Sequence, residues 1–190
     1  LMSRWTSDGA SRRNDAKEFA IPLVAAPAVT AKCGPRDNMA VWIAMRVARP
    51  GDVLVLHTGD YEGTAVIGDH VAAIAKRLGI VAVVTDGLVR DVKQIRAMRF
   101  PMFHGGIGPL DTKGRARMVE RDVPVDCAGV AVQPGDIVFG DCDGVVVIPR
   151  RHESEVLARA LEKVSGENQS RDALRRGELL GDVFKRLGIL

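Results

Sequence analysis

The apolar positions of this chain fall into short continuous runs separated by stretches of helical spacing, and that alternation organises its first half. "FAIPLVAAPAVTAKC" alternates small and branched apolar residues, as a strand entering a sheet does. "DNMAVWIAMRVARPG" then places Met39, Trp42, Ile43, Met45 and Val47 on a largely apolar helix that stops at Pro50-Gly51, with Trp42 expected in the core. "GDVLVLH" reads as a short buried strand. Val71, Ile74, Ala75 and Leu78 recur at i, i+3, i+4 and i+7, one face of a helix, and "IVAVVT" is again a continuous apolar run. Strand, helix, strand is the rhythm of an α/β fold.

After Asp91, the positions Val92, Ile95 and Met98 mark another short helix, and "FPMFHGGIGP" reads as a strand running into a glycine-rich loop. The grammar then changes. "ARMVERDVPVDC", "VAVQ", "DIVFGD" and "GVVVIP" are strands joined by tight Pro-Gly-Asp and Asp-Gly turns, which predicts antiparallel hairpins and therefore a mixed sheet. "PGDVLVL" and "PGDIVFG" echo each other, but two echoes do not make a structural repeat. From His152 onward the chain is charged and helical, with Val156, Leu157, Leu161 and Val164 as a narrow apolar stripe of the kind that packs on its own domain or on a neighbouring subunit. The expected organisation is a flexible opening over 1–18, one α/β domain over 19–150 and a helical extension over 151–190.

Composition narrows the class of partner. Net charge is +3 with acids and bases interleaved, and aromatics make up 4%, so neither a basic stripe nor base-stacking residues point to nucleic acid. Cys33, Cys127 and Cys142 are scattered and odd in number, which predicts a reducing, cytoplasmic setting rather than a disulfide framework or a zinc site. The opening carries no apolar core of a signal peptide, and no window reaches the roughly 18 apolar residues of a membrane span. Leu1 ahead of Met2 reads as a remnant of expression or a clipped start.

The segment "GDHVAAIAKRLGIVAVVTDGLVRD" carries the candidate chemistry. A helix of about ten residues rises roughly 15 Å, and six strand residues returning against it cover roughly 20 Å, so the chain comes back to where it began. Asp69 at the helix start and Arg90-Asp91, placed just past an Asp86-Gly87 turn, should share one small volume with the amides of the first helical turn around His70 and Val71. Arg90 can grip a carboxylate bidentately, and Asp91 can hold a hard divalent cation through oxygen, a combination that suits a small 2-keto acid. Gly-Asp before a helix also serves as a plain N-cap, and Arg-Asp after a strand as a surface ion pair.

The acid after Gly68, the twenty intervening residues and the Arg90-Asp91 pair resemble the signature of the class II pyruvate aldolases of the 4-hydroxy-4-methyl-2-oxoglutarate/4-carboxy-4-hydroxy-2-oxoadipate aldolase family, within the RraA-like superfamily. "DGLVRDV", "FPMFHGG", "PVDCAGVAVQPGDIVFGDCDGVVVIP" and Asp37-Asn38 followed by "PGDVLVL" resemble family blocks in the same order, from about Ala25 to Arg176. The resemblance implies a swivelling β/β/α-type single domain, assembled as homotrimers that pair into hexamers, with the active site between subunits. It implies Mg²⁺ or Mn²⁺ held directly by Asp91 and through water by Asp69 and by a glutamate of the adjacent subunit's C-terminal helix. Glu167 matches that glutamate, with Glu162 as competitor. Arg90 would lie on the pyruvyl group, the Gly68–Val71 amides, including those of Asp69 and His70, on its carboxylate, and Asn38 near the substrate. Arg90 and Asp69 are the implied catalytic residues. His70 stands where relatives carry an apolar residue, and the N-terminal helix of relatives has no counterpart at the start of this chain.

The implied activity is retro-aldol cleavage of a 4-hydroxy-2-oxo acid to pyruvate and a second keto acid, with oxaloacetate decarboxylation beside it. The alternative is the regulatory branch of the superfamily, which binds ribonuclease E or RNA helicases and lacks the aspartate after the arginine; Asp91 weighs for the enzyme. His57, His104 and His152 are dispersed and read as incidental, with His104 the one worth checking. Cys127 and Cys142 read as buried filler. "GGIGP" lacks the GxGxxG spacing of a nucleotide fold, which argues against a methyltransferase.

Overall fold

The computed structural model describes residues 6–7, 23–59, 61–112 and 120–188. The chain divides into two compact units, Leu1–Arg150 and Arg151–Leu190. Most of the expected opening segment lies outside the described residues; Thr6–Ser7 form a short strand, β1.

The first unit is built on strands β2 (Val24–Lys32), β3 (Val53–His57), β4 (Ala65–Ile67), β5 (Ala82–Val89), β6 (Met102–Ile107), β7 (Val125–Cys127), β8 (Val130–Val132), β9 (Ile137–Asp141) and β10 (Gly144–Ile148). Helices α1 (Met39–Val47), α2 (Asp69–Arg77) and α3 (Val92–Ala97) lie between the parallel strands. The main sheet runs in the order β1-β6-β5-β3-β2-β9-β10, with β4 beside the end of β5, and β7 and β8 form a separate hairpin. β2, β3, β5 and β6 pair in parallel, while β9 runs antiparallel to both β2 and β10. The fold is therefore α/β with a mixed sheet, as the switch from apolar runs to hairpin turns predicts.

The central strands β3 and β5 are buried on both faces, which is why they read as unbroken apolar runs, whereas β2 alternates buried and exposed positions. Side chains alternate along each strand. Leu54 and Leu56 of β3 join a core with α1, α2 and Ile95 of α3, while Val53 and Val55 join a second core on the opposite face with Phe103, Val125, Val132 and Val138. Each fully buried Val, Leu or Phe contributes about 1.5–3 kcal/mol, so this double layer holds the carboxyl ends of the strands in fixed positions.

Local signals set the path between α2 and β5. Gly79 adopts φ +81° after the last turn of α2; its amide bonds Lys76 O at 3.0 Å and the Ile80 amide bonds Ala75 O at 3.1 Å. This paired closure satisfies two orphan carbonyls and aims the chain back along the sheet.

Four expectations need correction. The strand does not turn at Asp86-Gly87: β5 continues to Val89 through a register shift between Thr85 and Leu88. β6 likewise continues through Gly105 and Gly106 to Ile107 rather than ending in a loop before them. Trp42 is 37% exposed, because α1 buries Ala40, Val41, Ala44 and Met45 instead. Cys142 is exposed in the β9–β10 turn rather than buried.

The second unit consists of a long helix α4 (Glu153–Arg175) and a short helix α5 (Leu180–Leu187). Glu178 clips the junction, accepting bonds from Arg176 at 3.0 Å and Arg186 at 2.6 Å. Among the described residues, no helix is long and apolar enough to cross a membrane.

Candidate active site

The carboxyl ends of parallel strands are where α/β sheets place their ligands. Here β4 and β5 end beside each other, α2 begins directly after β4, and the chain beyond β6 folds over the same edge. Three backbone bonds fix this arrangement: Arg90 N to Ile67 O at 2.9 Å, Gly108 N to Val89 O at 3.0 Å and Ala65 N to Leu110 O at 2.8 Å. Beside them lies a small cleft, open to solvent, lined by Asn38, Ala65, Val66, Gly68, His70, Val71, Arg90, Asp111 and Thr112.

Asp91 has the most informative geometry. It occupies the N-cap position of α3 with φ 57° and ψ 35°, left-handed backbone that costs a non-glycine residue about 1 kcal/mol or more. Its side chain makes no capping bond to α3. Instead Asp91 Oδ2 accepts from the Asp69 amide at 3.3 Å and lies 3.4 Å from Arg90 Nε. This backbone frees the carboxylate from its own helix and turns it toward Asp69 and Arg90.

Gly68 makes this approach possible. A Cβ at Gly68 would fall 2.5 Å from Asp91 Oδ2 and 2.8 Å from Arg90 Nε. Its φ of −122° is open to any residue, so space, and not backbone freedom, demands glycine here.

Asp69 turns its carboxylate onto its neighbour. Asp69 Oδ1 accepts from the His70 amide at 2.7 Å and lies 2.7 Å from His70 Nδ1, the imidazole itself being exposed. Partial desolvation raises the Asp69 pKa, but the His70 side-chain and amide bonds outweigh it and hold the carboxyl below its usual range. The Asp69 and His70 amides are therefore already engaged by carboxylates, where the sequence reading assigns them to a substrate anion. Asn38 points Nδ2 toward Val66 O at 3.4 Å at the opposite wall.

The structure thus gathers Asn38, Gly68, His70, Val71 and Arg90 around one cleft, with Asp91 against Arg90 and the Asp69 amide beside it but neither Asp91 nor Asp69 in its lining. Glu167 stands on α4 in the second unit, 3.7 Å from Lys163 Nζ, with the exposed Glu162 on the same helix. Asp111 was not singled out from the sequence: its carboxylate lies 3.5 Å from Arg90 Nη1. Nothing near Asp111 in the chain marks it; only its place on the loop beyond a parallel strand could have done so.

Asp91 and Asp111 lie on two edges of the Arg90 guanidinium, while the Asp69 carboxylate is turned onto His70. Among the described residues their carboxylate oxygens do not converge as a set of three within 4.8 Å of one another, so at most the Asp91 oxygens, with Asp69 beside them, are placed to hold a hard cation such as Mg²⁺ or Mn²⁺. The three-residue grouping Asp141, Cys142 and Asp143 is a different matter. It lies in the solvent-facing β9–β10 turn, where Asp141 Oδ1 accepts from the Asp143 amide at 2.8 Å as turn residues ordinarily do.

Behind the cleft lies a buried polar network. Asp86 Oδ1 accepts from Thr58 N at 2.5 Å and Thr58 Oγ1 at 2.7 Å, and Oδ2 lies 2.7 Å from His57 Nδ1. This ties the end of β3 to β5 at its register shift and gives His57 a structural partner. His104 is buried in β6. Cys33 is buried nearby: desolvation first, then the charges of Asp37 and Asp86, push its thiol up to about 12, so it is not a thiolate nucleophile at neutral pH.

A mixed α/β scaffold with a carboxylate-and-arginine cleft at its parallel-strand ends defines a broad class of small-anion sites. Comparison with known proteins narrows it. Residues 5–147 match the family described as RraA-like: Aldolase/RraA, and the chain belongs to that family. It is 38% identical over 151 residues to a Halalkalibacterium halodurans protein named "Putative 4-hydroxy-4-methyl-2-oxoglutarate aldolase", covering 80% of this chain and 71% of that one. Among solved structures it resembles an uncharacterized protein from Pseudomonas syringae (TM-score 0.77, 25% identity, 86% and 80% covered). It also resembles Streptomyces coelicolor RraAS2, described as an unusual member of the RNase ES inhibitor RraA family (TM-score 0.76, 29% identity, 90% and 83% covered).

Proposed function

We propose that this chain is a divalent-metal-dependent carbon–carbon lyase that cleaves a 4-hydroxy-2-oxo acid to pyruvate and a second keto acid, with oxaloacetate decarboxylation as a second reaction. The observation that carries this reading is the uncapped, left-handed Asp91 beside Arg90 and the Asp69 amide. The aldolase name of the H. halodurans relative supports it.

Asp91 would hold Mg²⁺ or Mn²⁺ directly, and Asp69 and, from an adjacent subunit of a homotrimer or hexamer, Glu167 would do so through water. The cation supplies Lewis acidity toward the 2-keto oxygen. Arg90 binds the pyruvyl group and stabilises the negative charge that collects on its oxygen as the C3–C4 bond breaks. The 4-hydroxyl gives up its proton, the bonding pair passes into the enolate of pyruvate, and C3 is then protonated. Asp69, its carboxylate held by the His70 amide and imidazole, would serve this proton traffic through water.

The test is a coupled assay for pyruvate release from oxaloacetate and from 4-hydroxy-4-methyl-2-oxoglutarate, with Mg²⁺ or Mn²⁺ and again with chelator. Metal-dependent turnover lost in Asp91→Ala supports the lyase. The likeness to RraAS2 favours a second reading, a non-catalytic regulator that binds a ribonuclease or RNA helicase. Turnover no faster than free metal, together with such binding, would establish it instead.

A further inference from the structure

We propose that Asp111 is a built-in counter-anion of Arg90, which an incoming carboxylate must displace, and that it sets the charge preference of the cleft. The inference rests on reading the cleft as a keto-acid site and assigns a role to a residue outside the Arg90-Asp91 pair. Arg90 is bracketed: Asp91 Oδ2 lies 3.4 Å from Nε, and Asp111 Oδ2 lies 3.5 Å from Nη1 on another edge of the guanidinium. Both pairs are longer than a good charge-assisted hydrogen bond, so Arg90 is neutralised without being locked bidentately. A ligand carboxylate can therefore compete for it.

The chain leading to Asp111 is not free to drift. Gly108 is tied to the end of β5 and Leu110 to the start of β4, and Thr112 just beyond is buried. Asp111 itself is 42% exposed in its side chain and placed in the cleft lining. Held there, its charge opposes any anion at Nη1 and opposes a dianion more strongly than a monoanion. A hydroxyl or amide on the same side of the ligand would instead find an acceptor in Asp111.

The test uses the full-length chain with chelator present, so that it reads anion binding and not turnover. Pyruvate and oxalate are titrated by NMR into the wild type, Asp111→Asn and Asp111→Ser. The expected result is tighter binding in both variants, with the dissociation constant falling roughly 3–10-fold for oxalate and less for pyruvate. Unchanged or weaker binding would show that Asp111 positions Arg90 or does nothing for it. Equal shifts for the two anions, or no binding by any of the three proteins, would also overturn the inference. A wild type that releases no pyruvate with Mg²⁺, while Asp111→Asn still binds oxalate more tightly, rejects the lyase and leaves this inference standing.

Discussion

The Asp91 carboxylate reaches back across 22 positions of sequence to the amide of Asp69, 3.3 Å away, instead of capping the helix that Asp91 itself begins. Strand β5 and helix α2 thereby deliver an arginine and two acids to one point.

Asp91→Asn separates charge from backbone. Asparagine tolerates left-handed φ nearly as well as aspartate, so the fold should hold, with thermal unfolding within about 1 kcal/mol of wild type. Calorimetric Mn²⁺ binding and metal-dependent pyruvate release should each fall by about 100-fold or more. Asp91→Ala should lose the same function and, in addition, about 1 kcal/mol of stability.

Gly68→Ala tests space. The added methyl must push Asp91 Oδ2 or Arg90 Nε aside, because both lie under 3.0 Å from it. Activity should drop about 10–100-fold from misplacement of these groups, while unfolding shifts by only about 1 kcal/mol. Gly68→Ala activity equal to wild type would mean that the close approach is not used.

Asp86→Ala removes a buried carboxylate that serves three donor groups from His57 and Thr58. The stranded donors should cost about 2–4 kcal/mol, read as a lower urea midpoint with an unchanged slope. Asp86→Asn, which keeps acceptor capacity, should cost less.

Glu178 supplies a pH test in the second unit. Its hydrogen bonds to Arg176 and Arg186 hold its carboxyl below the ordinary value of 4.5. A depressed carboxylate stabilises the folded state above its unfolded pKa and loses that contribution as pH falls through the folded value. NMR titration should find the Glu178 midpoint below 4.5, and Glu178→Gln should flatten the acid-side fall of helical signal.

Much of this was legible in the chain. The apolar runs of β3 and β5 and the i, i+3, i+4 spacing of α2 announced themselves because both faces of those strands, and one face of that helix, are buried. The Asp69 to Asp91 return was readable from the lengths of two adjacent elements. Strand β4 was not, since three residues carry no periodicity. The Asp86-Gly87 pair looked like a turn, yet the strand continues there through an irregular register, because Thr58 satisfies Asp86 and, with Val66, packs on the open face of Gly87. Trp42 looked like core on composition alone, but the helix face that meets the sheet is made of Ala40, Val41, Ala44 and Met45.

What the amino-acid order determined by itself was local: the sequence of elements, the mixed sheet and the meeting of Asp69 with Arg90-Asp91, all of which follow from side-chain period and chain reach over a few tens of residues. What only the tertiary structure decided was how distant segments complete the cleft. Asn38, Asp111 and the Asp86 network are assembled by which strands sit side by side, and adjacency in a sheet is set by the burial of whole faces rather than by any residue's neighbours in the chain.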